Sequence, residues 1–422
     1  MRKIVLISLH FPPSAASGAF RMLGFVRHLP AFGWSTSVIA CPEVPYEPVD
    51  PGLQGDVPAS THVRYVEYPN ARVAGIARRL LTLAGVRDPH AIWCFAARRA
   101  CDEWIAQERP DVILTSGPPH GVHLLGQWLR RRYPVRLVTD FRDSWVDERP
   151  PVGLSASLRG ALERATMRAS DGIIANAPRA LDAMARAYPD CAHKMVMVPN
   201  GYDPTPPVAG LQQPGSNEPL TILHAGELYA GRNPRALLDA MGAAERLAPQ
   251  AVPWHLRFVG RTPETRLDIV AEAERRQLRS RVSVEGQVSY DTAKDEMRRA
   301  GILLLMDGAG RRVGVPAKAY EYIGANRPIL ALAEPDGDTA WALESSGAVY
   351  RLAKPNDPIA IQRALVEITA LARAGAAGAP AHADSPFTRE RVAGKLSEFL
   401  ETIVTVGATA STAGLPARTT NR

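Results

Sequence analysis

Residues 302–330, ILLLMDGAGRRVGVPAKAYEYIGANRPIL, contain the pattern that decides the fold. An apolar run, ILLLM, is followed by a Gly-rich turn, a stretch of helical periodicity from Lys318 to Ala325, and a second apolar run after Pro328. Short apolar runs bounded by Gly and Pro are typical of buried strands, and a helix between two of them predicts parallel pairing. This segment therefore predicts a βαβ unit.

The same alternation extends outward over most of the 422 residues. Strands are predicted at 3–8, 37–40, 63–68, 111–116, 135–141, 172–176, 220–226, 255–260, 282–286, 302–307, 328–333 and 348–353. Helices are predicted at 19–32, 98–108, 120–132, 158–168, 232–247, 264–277, 290–300, 318–325, 338–346, 358–374 and 386–404. This order predicts the α/β class, with two Rossmann-like domains built on parallel sheets.

A stretch rich in Pro and Gly, PTPPVAGLQQPGSNE (204–218), separates the two series. Such composition is typical of a linker, so we expect an N-terminal domain over 1–203 and a second domain over 219–385, facing across a cleft that binds the ligand. A strongly periodic helix is predicted over 386–405, and residues 406–422 are predicted to be a disordered tail.

Composition excludes several classes. With 46% hydrophobic and 22% charged residues the chain is typical of a globular protein. It has no uncharged apolar run of 18 residues, and its first apolar run is too short for a signal peptide. The four cysteines lie far apart without a CxxC spacing, so we expect reduced thiols, no zinc site and a cytoplasmic protein.

Positive charge is concentrated in the N-terminal half. Residues 1–200 carry 24 Lys/Arg and 18 Asp/Glu, and so contribute +6 to the total net charge of +7. An anionic partner is expected, but no nucleic-acid-binding motif occurs, so we do not expect nucleic acid. The basic amphipathic segment RVAGIARRLLTLAGVR (72–87) and the cluster Arg130–Arg132 suggest contact with an anionic membrane, at its inner face, or with a lipid-diphosphate acceptor. The alternative is an ordinary solvated helix.

In the first domain, small and polar residues follow the predicted strand ends. Ser17 and Gly18 close the turn after the first strand, where a ligand could approach the backbone ahead of a helix N-terminus. The spacing of this turn does not match a nicotinamide dinucleotide site. His120 opens the helix after the 111–116 strand, and His123 follows one turn later; without a third ligand the pair does not predict a metal site.

The segment TDFRDSW (139–145) groups Asp140, Arg142 and Asp143 at the end of the next strand. Burying three charges is unfavourable, so we expect all three to face the cleft. The alternative is that Asp143 caps the following helix and Arg142 pairs with a neighbour.

In the second domain, an anion site is predicted at the start of the 318–325 helix. Backbone amides over Gly314, Val315, Pro316 and Ala317 can meet a pyrophosphate there, although proline itself has no N–H. Lys318 would add a positive charge, and Glu321 would accept hydrogen bonds from ribose hydroxyls. Gly226 and the loop after it, ending in Arg232 and Asn233, follow the first strand of this domain.

Five segments resemble the GT-B glycosyltransferases, specifically the family-4-like group that makes bacterial polysaccharides and glycolipids. They are HFPPSAASGAFR (10–21), DFRDSW (140–145), VPNGYD (198–203), LHAGELYAGRNP (223–234) and VPAKAYEYIGANRPIL (315–330). The resemblance implies an acceptor domain followed by a nucleotide-sugar domain, and a terminal helix that crosses back to the first. It also implies a UDP- or GDP-sugar donor, a glycan or lipid-linked acceptor, retention at the anomeric carbon and no required metal or other cofactor.

The resemblance assigns Arg142, Asp143 and His120 to the acceptor side of the reaction. It assigns Glu321 to the second of two Glu residues that many members carry seven positions apart; Val313 stands where the first would be. Many members also use an Arg and a Lys after the first strand of the second domain, where this chain has Glu227 and Asn233, with Arg232 adjacent. Two alternatives therefore stay open: a nucleotide-sugar epimerase on the same fold, and a non-catalytic subunit.

Overall fold

The computed structural model describes residues 1–70, 90–143, 154–204, 218–228, 231–247, 254–261, 268–376 and 385–412. The chain divides into two compact units. The first comprises Met1–Pro199 and the chain from Arg389 onward, and the second comprises Asn200–Thr388. Each unit contains one parallel sheet flanked by helices, so the predicted α/β class is confirmed.

The first unit has a seven-stranded sheet with the order β3-β2-β1-β4-β5-β6-β7. Its strands are β1 (Arg2–Ser8), β2 (Trp34–Ala40), β3 (His62–Tyr65), β4 (Val112–Gly117), β5 (Arg136–Phe141), β6 (Gly172–Ala175) and β7 (Met195–Met197). Its helices are α1 (Ser17–His28), α2 (Ala91–Glu108), α3 (Gly121–Arg132), α4 (Leu154–Ala169), α5 (Pro178–Ala187) and, after the second unit, α12 (Arg389–Thr412).

Alternation along β1 explains why this sheet is buried on both faces. Ile4 and Leu6 pack with residues of α1 and α12, whereas Val5 and Ile7 pack with residues of α2 and α3. Successive side chains of a strand point to opposite faces, so a strand covered by helices on both sides must be apolar throughout. In-register pairing of β1 with β2 and with β4 places this strand at the centre of the unit.

The second unit has a six-stranded parallel sheet with the order β10-β9-β8-β11-β12-β13. Its strands are β8 (Leu220–Ala225), β9 (Trp254–Val259), β10 (Val282–Glu285), β11 (Ile302–Met306), β12 (Ile329–Leu332) and β13 (Tyr350–Ala353). Its helices are α6 (Arg235–Leu247), α7 (Ile269–Arg275), α8 (Tyr290–Arg299), α9 (Ala317–Ala325), α10 (Asp338–Ser346) and α11 (Pro358–Arg373). In both units the strand order reverses once, between β1 and β4 and between β8 and β11.

Helix ends in the second unit follow local capping chemistry. The side chains of Asp268, Ser289 and Asp357 accept hydrogen bonds from backbone N–H groups at the starts of α7, α8 and α11. Asn326 and Gly347 adopt left-handed backbone conformations directly after α9 and α10. Both devices satisfy backbone groups that a helix end leaves without intrahelical partners.

Several predicted boundaries require correction. The first unit ends at Pro199 and not at residue 203. The predicted helix 19–32 is α-helical only to His28 because Pro30 interrupts it, and a 3₁₀ turn takes its place. The terminal helix continues to Thr412, so residues 406–412 are not part of a disordered tail.

The predicted helix 98–108 begins seven residues earlier, at Ala91. Residues 91–97 are largely buried between other elements, so their apolar character gives no clean helical period. The basic segment 72–87 and most of the predicted linker 204–218 lie outside the described residues.

Candidate functional site

In a doubly wound sheet, ligands bind beyond the carboxyl ends of the strands at the point where the strand order reverses. In the first unit this point lies between β1 and β4. The loop after β1 leads into α1, which begins with the exposed Ser17 and the buried Gly18. No side chain caps the start of α1, and its first turn carries no acidic residue. Its N-terminal N–H groups therefore face this edge with their partial positive charge uncompensated by a carboxylate of the same helix.

A Cβ on Gly18 would overlap the guanidinium of Arg142, so a side chain there would displace that group. Arg142 is half-buried, and its side chain donates a hydrogen bond to the carbonyl of Pro118. Its backbone N–H donates to the carbonyl of Gly117 at 2.9 Å, and its own carbonyl accepts from Asn176 at 2.5 Å. The structure thus brings Gly18 and Arg142 together, and the guanidinium of Arg142 covers the start of α1.

Burial lowers the pKa of Arg142, and the charges of Asp140 and Asp143 oppose that shift. The Nε atom of Arg142 is buried without a hydrogen-bond partner. Arg142 pairs with a neighbour, as in the alternative interpretation, but that neighbour is the carbonyl of Pro118, and no carboxylate of the described residues forms an ion pair with it. Asp143 is exposed, and the next described helix begins only at Leu154.

Asp140 does not face a cleft, contrary to our prediction. It is fully buried and forms a bidentate ion pair with Arg21 of α1, at 2.9 Å and 2.8 Å. Ser116 also donates to this carboxylate, at 2.7 Å. Arg21 has two further acceptors, the carbonyls of Val198 and Pro199. The pair fixes α1 to β5, and the burial of a charge is tolerated because both partners are fully bonded.

His120 immediately precedes α3, as predicted, and is buried. Its ring stacks on Phe141 with a centroid distance of 6.0 Å. His123 is also buried, and its Nδ1 lies 2.9 Å from the hydroxyl of Thr115. Burial lowers the pKa of His123 well below its ordinary value, and the charges of His120 and Arg142 add to this effect. His123 therefore packs as a neutral ring beneath His120.

Sequence reasoning missed three residues at this edge. His10 Nε2 lies 2.7 Å from a carboxylate oxygen of Glu47, whose other oxygen lies 3.5 Å from His90 Nε2. Burial lowers the pKa of His10, although the contact with Glu47 opposes the shift. Burial alone would raise the pKa of Glu47, but the contact with His10 and the charges of His90 and Arg142 outweigh it and lower the pKa. The three residues come from three separate loops, so no sequence spacing could indicate them.

In the second unit the strand order reverses between β8 and β11. Gly226 follows β8 with a φ of +156°, close to extended backbone. A Cβ on Gly226 would lie 3.1 Å from Cε of Lys318. The hydroxyl of Tyr322 on α9 accepts the backbone N–H of Ala225 at 2.9 Å, which holds the end of β8 against this helix. The structure therefore brings Gly226 and Lys318 together.

Lys318 and Glu321 lie one turn apart on α9, and Nζ lies 2.5 Å from Oε2. Both side chains are at least three-quarters buried. Pro316 precedes the helix, no side chain caps it, and the buried Val315 anchors the turn. A cation, a carboxylate and an uncapped helix start thus occupy one edge of the second sheet.

The Gly314 amide is not available to a ligand, contrary to prediction. It donates to Oδ2 of Asp338 at 2.7 Å, and the amide of Gly310 donates to Glu334, also at 2.7 Å. The backbone N–H of Asp338 in turn donates to the carbonyl of Arg312 at 2.8 Å. The carboxylates of Glu334, in the loop after β12, and of Asp338, the first residue of α10, therefore hold the loop after β11. Val313, half-buried in this loop, supplies no carboxylate.

Asn233 contacts the helix that follows it. Its side-chain oxygen accepts the backbone N–H of Arg235 at 2.9 Å and so caps α6. Arg232 is buried beside the end of β8. Burial lowers the pKa of His224 to about 4, and the charges of Arg232 and Lys318 contribute to the shift. His224, at 1% exposure, is a second feature that sequence reasoning missed. Its Nδ1–H donates to the carbonyl of Leu304 at 3.0 Å.

Three further kinds of feature bear on function: metal sites, membrane-spanning helices and a second cleft. Within the described ranges no group of three His, Cys, Asp or Glu side chains is placed to hold a metal ion. No helix among them is long and apolar enough to span a bilayer. A cleft of about 510 Å³ follows the edge strand β13, but none of the predicted donor residues line it.

Comparisons with known proteins agree with this architecture. Residues 18–201 match the family described as glycosyl transferase 4-like domain. A probable glycosyltransferase of Pseudomonas aeruginosa, WbjE, is 35% identical over 68 residues, a match that covers 16% of this chain and 17% of that protein.

Several solved structures are similar over 98% of this chain, and two of them serve as examples. Sucrose-phosphate synthase from Thermosynechococcus elongatus has a TM-score of 0.59 at 18% identity, with 99% of its chain covered. HepE of Anabaena, solved with UDP and glucose, has a TM-score of 0.59 at 15% identity, with its whole chain covered. These matches confirm the resemblance to GT-B glycosyltransferases: residues 18–201 are similar to the glycosyl transferase 4-like domain, and the solved structures share the two-sheet fold.

Proposed function

We propose that the protein is a glycosyltransferase that moves a sugar from a nucleotide-sugar donor to a glycan or lipid-linked acceptor in bacterial polysaccharide or glycolipid synthesis. The family match over residues 18–201 and the doubly wound order of both sheets support this proposal. The donor would be a UDP- or GDP-sugar. HepE, with the same fold, was solved with UDP and glucose, which favours a uridine nucleotide as the first donor to test.

The observation that carries the proposal is the arrangement at the carboxyl end of β8. Gly226, Lys318 and Glu321 meet there, although nearly 100 residues separate the first from the others. A helix N-terminus and an ammonium group attract a diphosphate, and a carboxylate one turn further along can accept hydrogen bonds from ribose hydroxyls. In this proposal the ammonium group of Lys318 gives up part of its contact with Glu321 and binds the diphosphate of the donor.

The chemistry proposed is transfer with retention and without a required metal ion. The bond from the anomeric carbon to the diphosphate oxygen breaks, and the acceptor oxygen bonds to the same face of the sugar. The departing diphosphate takes the acceptor's proton. Lys318, Arg232 and the start of α9 would stabilise the charge that develops on the diphosphate, so that the leaving group needs no metal ion for this purpose.

We assign the binding of the acceptor to the first unit, through His120, Arg142 and Asp143. Arg142 and His120 are held by the Pro118 carbonyl and by Phe141, and Asp143 is exposed at the same strand end. Asp143 would orient the incoming hydroxyl, and Arg142 would interact with an anionic part of the acceptor. Groups held rigidly in advance lower the cost of reorganisation in the transition state.

The test is incubation of the purified protein with UDP- and GDP-sugars, with and without extracts of lipid-linked and free glycans. We expect a glycosylated product only when both donor and acceptor are present, with the anomeric configuration of the donor retained. An altered sugar formed from donor alone would instead identify an epimerase. Donor binding without turnover on any acceptor would indicate the non-catalytic alternative.

Removing either charge of the Lys318–Glu321 pair should weaken donor binding. We expect Lys318→Ala and Glu321→Ala each to lower donor affinity by about 1.5–3 kcal/mol, since each variant loses charge-assisted hydrogen bonds to the diphosphate or ribose. Isothermal titration with UDP and GDP measures the effect. Lys294→Ala is the matched control, because Lys294 also pairs with an acidic residue three positions away but does so at the exposed side chain of Asp291. Unchanged affinity in both variants would place the nucleotide elsewhere.

Asp143→Asn removes a charge without changing size. If Asp143 orients the acceptor, we expect kcat to fall about 100-fold while the Kd for the nucleotide hardly changes. The control is Asp190→Asn, which alters an exposed carboxylate paired with Arg168. Full turnover in Asp143→Asn would remove this residue from the site, and a parallel loss of nucleotide binding would indicate a structural role.

A further inference from the structure

An apolar cleft of about 180 Å³ lies between the first two turns of α2 and those of α3. Ala91, Cys94 and Phe95 line it from α2, and Gly121, Leu124 and Trp128 line it from α3. The two helices approach closely at their starts, since a Cβ on Gly121 would lie 3.1 Å from Cβ of Ala91 and 3.2 Å from Sγ of Cys94. The cleft is therefore narrow at its base, and its walls offer carbon and sulfur atoms with few polar groups.

The mouth of the cleft exposes an aromatic side chain. Phe95 is 59% exposed, although it lies on a helix whose neighbouring residues, Cys94 and Ala97, are buried in the core of the unit. Holding a phenyl ring in water beside an open apolar cleft is unfavourable, and such surfaces commonly bind an apolar ligand or partner.

A cation lies beside the cleft. The guanidinium of Arg98 stacks over the Trp128 ring at 4.1 Å and makes no ion pair with the carboxylates of the described residues. Arg132 lies over the same ring at 5.0 Å, but its charge is paired with Asp102 at 3.0 Å. The charge of Arg98 also acts on the Asp102 carboxylate. Two guanidinium groups thus share one carboxylate, and the net positive charge that borders the apolar surface suits a molecule with a hydrocarbon chain and an anionic head.

The cleft also lies at the end of the unit that carries the proposed acceptor site. Gly121, at its base, directly follows His120, and Ala91 directly follows His90. Helices that follow strands in a parallel sheet start at the carboxyl edge of that sheet, so a molecule held in this cleft is held beside the loops after β4 and β5.

We infer that this cleft binds the hydrocarbon chain of a lipid-linked acceptor, with the lipid phosphate at Arg98. The inference rests on the proposed function in that the bound lipid is the acceptor of the transferred sugar. The chain occupies the apolar walls between Phe95 and Leu124, the phosphate meets the guanidinium on Trp128, and the acceptor is held at the edge that carries His120. Specificity for lipid-linked over free glycans then originates in the first unit.

The test uses dodecyl phosphate, kept below its micelle concentration, as the probe in isothermal titration with the full-length protein. We expect saturable binding to the wild type, and about tenfold weaker binding to Arg98→Gln and to Phe95→Ser, which lose a charge-assisted contact and apolar contact area respectively. Both altered side chains are exposed, so the variants should fold.

Two controls match these variants. Arg99→Gln removes a neighbouring arginine that is 92% exposed and pairs with Glu103, and Ile359→Ser removes an apolar side chain of the second unit that is 80% exposed. Both should bind the probe within twofold of the wild type. Inorganic phosphate and dodecyl maltoside should bind at least tenfold more weakly than dodecyl phosphate, because each lacks one half of the ligand.

Failure to bind dodecyl phosphate, equal binding by Arg98→Gln and Phe95→Ser, or equal binding of inorganic phosphate would overturn the inference. Donor affinity, measured in the same variants with UDP and GDP, should stay unchanged. Probe binding that depends on Phe95 and Arg98, in a protein that transfers no sugar, would support a lipid site while rejecting the proposed function. Normal sugar transfer to lipid-linked acceptors by both variants would reject the lipid site and leave the proposed function intact.

Discussion

Replacing Asp140 with alanine should lower the free energy of unfolding of the first unit by about 3–5 kcal/mol. The reason is that Arg21 would remain buried, at 2% side-chain exposure, without the carboxylate that accepts two of its hydrogen bonds. The hydroxyl of Ser116 would also lose its acceptor. Urea unfolding followed by circular dichroism measures the change, with a lower transition midpoint at an unchanged slope as the expected result.

A matched control exists on the same helix. Arg27 of α1 pairs with Asp56 at 2.7 Å, but its carboxylate partner is 40% exposed. Asp56→Ala should therefore cost no more than about 1 kcal/mol, because exposed ion pairs contribute little. Equal losses in Asp140→Ala and Asp56→Ala would contradict the assignment of Asp140 as a buried structural partner of Arg21.

Gly260→Ala should have the second large effect, in the other unit. Gly260 follows β9 with a φ of +144°, and a Cβ there would overlap the backbone carbonyl of Gly226. Backbone strain and overpacking each cost about 1–3 kcal/mol, so we expect a loss of about 2–6 kcal/mol. Because Gly226 also lies against Lys318, its displacement should weaken UDP or GDP binding in any fraction that stays folded.

Gly286→Ala tests the same substitution without the overlap. This glycine follows β10 in the same unit, and a Cβ there would have no atom within 4 Å. We expect its stability and nucleotide affinity to match the wild type within about 0.5 kcal/mol. If Gly260→Ala behaved like Gly286→Ala, the close approach of the two loops would not constrain this site.

The two edges differ in how far the sequence could indicate them. In the second unit, Lys318 and Glu321 lie one turn apart in a single helix, so helical periodicity alone places both side chains on one face. In the first unit, Asp140, Arg142 and Asp143 are almost adjacent in sequence, yet the structure buries Asp140, half-buries Arg142 and exposes Asp143. Asp140 lies within β5, on the face where Arg21 of α1 can pair with it, whereas Arg142 and Asp143 follow the end of the strand. Neither the partner nor the burial can be read from the sequence.

Backbone groups show the same limit. The turn 310–316 has the glycines and the proline of an anion-binding loop, and from them the Gly314 amide was predicted to face a ligand. The structure gives that amide to Asp338, a residue 24 positions away. The side-chain oxygen of Asn233, a residue predicted to bind the nucleotide sugar, accepts the backbone N–H of Arg235. In both cases the polar group has a partner within the protein, because an unpaired polar group in a folded chain is costly.

The sequence by itself determined the α/β class, the order of strands and helices, and the positions of the strand ends at which polar residues collect. These properties follow from local patterns, since apolar runs, helical periodicity, Gly and Pro each act within a few residues. Only the tertiary structure decided that Arg21 binds Asp140, that His10, Glu47 and His90 meet, and that α2 and α3 leave an apolar cleft. Each of these contacts joins residues far apart in the chain, and the free energy of such contacts depends on packing and burial, which exist only once the sheet has assembled.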